Sequence, residues 1–257
     1  MYKAIFTLAI MLASTQVLGF ELRETDKGDF VRFHGEKIEM VLDPSLSLLG
    51  PTDEIESTII DIFEMWVEKA ELPLTFNFVH GTCGDFGYDQ GGNNENCIAA
   101  STSKDMWKRV QSSDPGASAI VSYLPSTGAI IDADIVFNAS DWKWSTSGEV
   151  ENTLNLWTVT SHEVGHLLGL AHSNIEAAVM YPTTSVGKTG AEPLDSDDVI
   201  AATTLYENML ENTDLADCDG MATAAGGTPS SPFFFAGFLA MLFVRRRVIA
   251  MLRRVRS

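Results

Sequence analysis

Residues 162–173 read HEVGHLLGLAHS, and this segment constrains the chain more than any other. His162 and His166 stand four apart, so on a helix both imidazoles project from one face and reach one metal ion. Glu163 sits beside the first of them, where a carboxylate can take a proton from a metal-bound water. Gly169 lets the chain leave the helix through a left-handed turn that a side chain would resist. Beyond that turn His172 returns to the same metal. Three neutral nitrogen donors with an open fourth position describe a catalytic zinc site, not a closed structural one.

A bare HExxH occurs by chance on helices. Here the extended pattern fixes five residues within eleven positions, and it takes three of the chain's five histidines. His34 and His80 have no partner pattern and read as ordinary surface or strand histidines. A solvated helix face carrying three accidental histidines is a poor competitor.

The remaining composition bounds where such a site would work. The 257 residues suit one catalytic domain with terminal additions. Met1–Gly19 carries Lys3 and then the apolar stretch Ala4–Ala13, the form of a secretory signal peptide cleaved before Phe20. A short N-terminal segment, 20–29, precedes a catalytic region expected over 30–210. A linker at 211–232 follows, rich in Ala, Gly, Ser and Pro toward its end. The last part, 233–257, opens with FFFAGFLAMLFV and closes with six arginines. Its apolar run is shorter than the roughly 20 residues of an ordinary span. Met221–Val244 is nevertheless uncharged, so the tail is expected to associate with a membrane, its arginines on the cytoplasmic side.

Charge is segregated. Between Phe20 and Gly220 ten basic residues face all 35 acidic ones, a net of −25. A body so acidic is repelled by phosphate backbones, which excludes nucleic acid as a partner. Three cysteines in an exported chain suggest one bridge and one leftover thiol. Cys83 and Cys97 enclose a Gly/Asn-rich loop that a disulfide would staple, leaving Cys218 odd.

Periodicity gives a mixed architecture. Lys37–Leu42 alternates as a strand. Asp53 is the expected N-cap of a helix whose apolar stripe is Ile55, Ile59, Ile62, Phe63, Trp66 and Val67. Leu74, Phe76 and Phe78 alternate in a second strand. Ser118–Tyr123 and Ala129–Phe137 read as two more. A helix from Asn152 to about Gly169 carries the histidines, and a last helix, opened by Asp195, Asp197 or Asp198, runs through Leu205 and Tyr206. The expected fold class is α+β, a twisted mixed β-sheet packed on the zinc-binding helix.

HEVGHLLGLAHS followed by AAVMYP at Ala177–Pro182 resembles the metzincin zinc endopeptidases, and within them the matrixins, where Ser is the residue after the third histidine. IESTIIDIFEMWVEKAELPLTFNFV and LDSDDVIAATTLY are similar to matrixin elements as well, so the resemblance covers about Phe30 to Met209. It implies zinc held by His162, His166 and His172, with Glu163 as general base. It also implies that Met180 lies in a turn beneath the metal, as a packing residue without a chemical role. The family's second, structural zinc is not expected, since Ser118–Phe137 contains no histidine. Asp134, Asn138 and Asp141 lie near positions that bind calcium in the family. No cysteine precedes Cys83, so latency through a thiolate on zinc is not expected either. The Cys218, linker, apolar run and arginine cluster resemble C-terminal sorting signals of some Gram-negative surface proteins, with a plain membrane anchor as the alternative.

Two functions follow as expectations. The first is an exported or surface-associated zinc endopeptidase, acting as a monomer on protein or peptide substrates. A peptide would lie extended along the edge strand Ser118–Tyr123, and Thr183–Pro193 would shape the pocket for the residue after the cut. The second is a catalytically silent binding protein that kept the fold.

Overall fold

The computed structural model describes residues 19–92, 94–108, 116–148, 150–182 and 193–218. The expected signal segment (all but Gly19), the apolar and arginine-rich tail and most of Thr183–Pro193 lie outside them. The chain divides into one unit of Met1–Thr213 and a second of Asp214–Ser257, whose described residues are the end of the last helix. Among the described residues no helix is long and apolar enough to cross a membrane.

Five strands form the main sheet: β2 (Lys37–Leu42), β3 (Thr75–His80), β4 (Cys97–Ser101), β5 (Ala117–Tyr123) and β6 (Ile130–Asn138), in the spatial order β3-β2-β4-β6-β5. Every pairing is parallel except β5 with β6. The antiparallel β5 is therefore an edge strand: among the described residues no other strand pairs with its outer side. Four short strands lie around the histidine segment: β1 (Phe20–Leu22) pairs with β9 (Leu170–Ser173), and β7 (Lys143–Ser145) with β8 (Thr153–Asn155). Each has only three or four residues, too few for alternation to reveal.

Helix α1 spans Thr52–Lys69, and its N-cap is Pro51, with no side-chain cap bond. The helix starts one residue before the expected cap: Asp53 lies inside the first turn, where its charge favours the N-terminal dipole. Ile55, Ile59, Ile62, Phe63 and Trp66 are buried as their spacing predicts, while Val67 is only half-buried. Each such side chain contributes about 1.5–3 kcal/mol by leaving water. Phe63 meets the rings of Phe76 and Phe78 edge-on at centroid distances of 4.8 and 5.3 Å, which fixes α1 to β3.

A single turn, α2 (Lys104–Trp107), precedes β5, and α3 spans Leu156–Leu168. It begins later than expected because Thr153–Asn155 pairs with β7, and Asn155 then caps it by accepting from the Thr158 amide at 3.0 Å. The Trp66 indole donates to the Ser161 carbonyl at 3.0 Å and ties α1 to α3. Helix α4 covers Ser196–Cys218, continuing past Tyr206 into the stretch read as linker. The Tyr206 hydroxyl donates to the Leu168 carbonyl at 2.8 Å, satisfying one of the orphan acceptors at the end of α3. Apolar residues of the main sheet, α1, α3 and α4 make one continuous core.

Candidate active site

Helix α3 ends at Gly169, which adopts φ 105°, and a Cβ there would collide with the Val31 carbonyl. Only glycine satisfies both the backbone angle and the space. The turn sends the chain into β9, and His172 thereby meets His166: their Nε2 atoms are 3.2 Å apart. The ligand atoms of His162, His166 and His172 all lie within 4.8 Å of one another, and among the described residues this is the one such cluster.

The imidazoles are oriented by the backbone. Nδ1 of His162 is 2.7 Å from the Val179 carbonyl, and Nδ1 of His166 is 2.9 Å from the Leu170 carbonyl. A carbonyl only accepts, so each Nδ1 carries the proton and each Nε2 keeps a lone pair for a metal. The donor set fits zinc. Nitrogen ligands at about 2.0–2.1 Å in a tetrahedron stand roughly 3.3 Å apart, close to the His166–His172 separation. Burial, reinforced by the neighbouring His162, lowers the His166 pKa to about 3, so its lone pair stays available in mildly acidic media. His172 is lowered too, by burial and then by the charge of Arg23.

Glu163 is buried and accepts from the Ala119 amide of the edge strand at 2.6 Å. The base expected from the sequence is thus held by the strand expected to receive substrate.

Beneath the histidines, Met180 is buried against Gly165, where any Cβ would collide with the Met180 sulfur. The glycine inside HEVGH is therefore a packing requirement of the methionine turn. Two aspartates at the start of α4, which the sequence offered only as helix-cap candidates, hold this turn. Asp198 accepts from the amides of Val179 at 2.8 Å, Met180 at 3.0 Å and Asp195 at 2.9 Å. Asp197 accepts from the Ser173 hydroxyl at 2.6 Å and from the Gly19 amide at 2.8 Å. The bond to Val179 matters most, because the carbonyl of that same residue orients His162. Nothing in the pattern of acids alone distinguishes this role from ordinary capping; the separation of about twenty residues hides it.

The other candidates lie elsewhere. Cys83 and Cys97 are joined as a disulfide. Asp134 accepts from the Gly87 and Cys97 amides at 2.6 and 2.9 Å, and Asn138 donates to Asp141 at 3.3 Å. The exposed His80 meets Glu56 at 3.0 Å, away from the metal-binding cluster.

Comparison with known proteins agrees with this geometry. Matrix metalloproteinase-18 of Xenopus laevis is 31% identical over 61% of this chain and 29% of its own length. Karilysin of Tannerella forsythia is 30% identical over 60% of this chain and likewise 29% of its own length. Metalloendoproteinase 2-MMP of Arabidopsis thaliana reaches 41% over a shorter stretch, 26% of this chain and 19% of its own. The chain thus spans less than a third of the length of these relatives. The matrixin family model matches residues 33–207, which contain the histidine cluster, Glu163, the methionine turn and the start of α4. With the sheet, the left-handed exit from α3 and the buried Met180 all in place, the chain belongs to the matrixin family.

Proposed function

We propose that this chain is an exported zinc endopeptidase that cuts internal peptide bonds of proteins. The observation that carries the reading is the convergence of three backbone-oriented imidazoles beside a carboxylate held by the edge strand. His162, His166 and His172 would hold the ion. A zinc ion there supplies a lowered pKa for water and a Lewis-acid contact for the scissile carbonyl. An extended peptide adds to the outer side of β5, so its scissile bond lies near Ala119 and Glu163. Glu163 takes the proton of the attacking water and delivers it to the leaving amine. Met180 acts only by packing. The matrixin region supports a peptidase with protein substrates. Calcium at Asp134, Asn138 and Asp141 is no part of this chemistry.

Glu163→Ala should keep one zinc per chain, since Glu163 is not a ligand, and lose about 10²–10⁴-fold in peptide hydrolysis. Metal analysis beside a casein or peptide assay decides it. Near-normal turnover would sink the mechanism, and two tightly bound zincs would overturn the single-site reading.

Export follows from the signal-like Met1–Gly19. The segment 233–257 then retains the chain at the membrane or surface, with the matrixin region and the linker before it acting as a soluble monomer. Truncation after Gly220 should release active enzyme into the medium. An unfolded or inactive truncated protein would show that the tail belongs to the catalytic fold.

A further inference from the structure

With ten cations against 35 carboxylates between Phe20 and Gly220, a half-buried guanidinium in this body should find an acidic partner. Arg23 does not. Among the described residues no carboxylate lies within 4.0 Å of its guanidinium, and no side-chain hydrogen bond ends on it. A partly desolvated cation without a partner costs free energy that something must offset.

Its position suggests what. The Arg23 amide donates to the Gly169 carbonyl at 3.3 Å, in the turn between His166 and His172. Its carbonyl accepts from Val31 at 2.9 Å, and the neighbouring Arg32 exchanges backbone bonds with Gly128 and Ile130, both at 3.0 Å. Leu124 in turn donates to Ala129 at 2.9 Å, closing the turn at the Tyr123 end of β5. A continuous line of backbone bonds therefore runs from the metal-side turn, through Arg23, to that end of the edge strand. The charge of Arg23 interacts with Tyr123 at that end of the strand.

We propose that Arg23 forms a subsite for an acidic side chain: a Glu or Asp of the peptide substrate, within about four residues of the bond cut and toward Tyr123, docks its carboxylate on the guanidinium. The spacing follows from Ala119, which marks the reacting centre through Glu163, and Tyr123, four positions along β5. A paired strand matches it residue for residue up to the irregularity between Ser122 and Tyr123, so the position is set to within about one residue. A guanidinium suits this task because its fork matches a carboxylate with two parallel hydrogen bonds. The surrounding acidity sharpens the selection, for an acidic peptide is repelled by most of the body and attracted at this cation.

The inference rests on the endopeptidase reading, so its test has two arms. The full zinc-loaded protein is given a set of otherwise identical peptides with Glu, Gln or Lys at each position flanking one cleavable bond. A preference of about tenfold or more in kcat/KM for Glu over Lys is expected at one position, on one side only. The preference should narrow as salt rises from about 0.05 to 0.5 M and reverse toward Lys in Arg23→Glu. Equal kcat/KM for Glu and Lys peptides at every position overturns the subsite. So does a Glu/Lys ratio that is the same in Arg23→Glu, once zinc content and circular dichroism match the parent. In the second arm the same peptides bind Glu163→Ala protein, read by fluorescence polarisation. Binding there depends on the subsite and not on turnover. A charge preference in binding without any cleavage by the parent supports the subsite and defeats the proteolytic reading, while charge-blind binding defeats the subsite whatever the activity.

Discussion

Two irregular segments of this molecule are held by buried aspartates that accept backbone amides, yet they are secured differently. The methionine turn, His172–Met180, hangs from Asp197 and Asp198 at the start of α4. The loop 83–97 hangs from Asp43, which accepts from Ser45 and Cys83 at 2.8 Å each, and from Asp134, which accepts from Gly87 and Cys97. Only the loop has a covalent staple as well. The methionine turn is anchored through many groups to three elements, α3, β9 and α4. The loop touches the edge strand through Tyr88, whose amide donates to Ser122 at 3.2 Å. A turn that must place metal-binding groups is over-determined by noncovalent contacts, whereas a supporting loop is closed by a crosslink.

The sharpest way to break that contrast is Asp198→Ala. Three backbone amides lose their acceptor in a buried place, at about 1–3 kcal/mol for each orphaned donor, and a loss of about 3–5 kcal/mol in unfolding free energy is expected. Zinc retention should fall with it, because the Val179 carbonyl orients His162. Urea unfolding and metal analysis read both effects. A fully zinc-bound variant of parental stability would show that the turn is held by packing alone.

The loop should respond less, and without loss of metal. Cys83→Ser with Cys97→Ser removes a crosslink between residues 14 apart in sequence, worth about 3 kcal/mol in the chain-entropy model. Zinc content should stay at one per chain, since no ligand lies in the loop. If the double variant loses zinc as Asp198→Ala does, the two segments are one cooperative unit and the contrast fails.

The same contrast explains what could be read in the chain. The histidine turn was legible because its chemistry is written in consecutive residues: the four-residue spacing and Gly169 fix the geometry locally. The stripe of α1, from Ile55 to Trp66, was legible for the same reason, and so was the bridge, which one loop and three cysteines nearly determine. Long-range polar contacts were not. Asp197 and Asp198 look like helix caps until the fold brings Val179 and Ser173 to them. Thr153–Asn155 looks like helix because its strand character comes from pairing with Lys143–Ser145. The extension of α4 beyond Tyr206 carries no stop signal near the expected end, where a glycine or proline would have marked one. Arg23 has no motif at all; its isolation is visible only once the surrounding carboxylates are placed.

The last expected effect concerns the loop's own clamp, and it depends on pH. Asp43 and Asp134 both hold amides of the loop, but their acidities diverge. Burial works against the charged form of Asp43, and hydrogen bonds from Ser45 and the Cys83 amide outweigh it, so its pKa is lowered. Asp134 lies deeper, beside Asp132, whose buried Oδ2 has no hydrogen-bond partner. Burial, with a contribution from the Asp132 charge, raises the Asp134 pKa from 3.8 to about 7 despite its two amides. A folded pKa above the unfolded value means that the folded state binds the proton more tightly. The stabilisation is complete below the unfolded pKa and is lost as pH rises through about 7. The slope in between is at most about 1.4 kcal/mol per pH unit for one proton. Asp134→Asn cannot ionise, so the stability gap between parent and variant should move in the variant's favour from pH 4.5 to 7.5 and then level off. Comparing the two proteins cancels the titration of Asp198, which burial also raises. Urea midpoints across that range measure the gap. A gap that is flat with pH would mean that Asp134 is already ionised when folded, its amides outweighing its burial as they do at Asp43, and the two clamps of the loop would then be electrostatically alike.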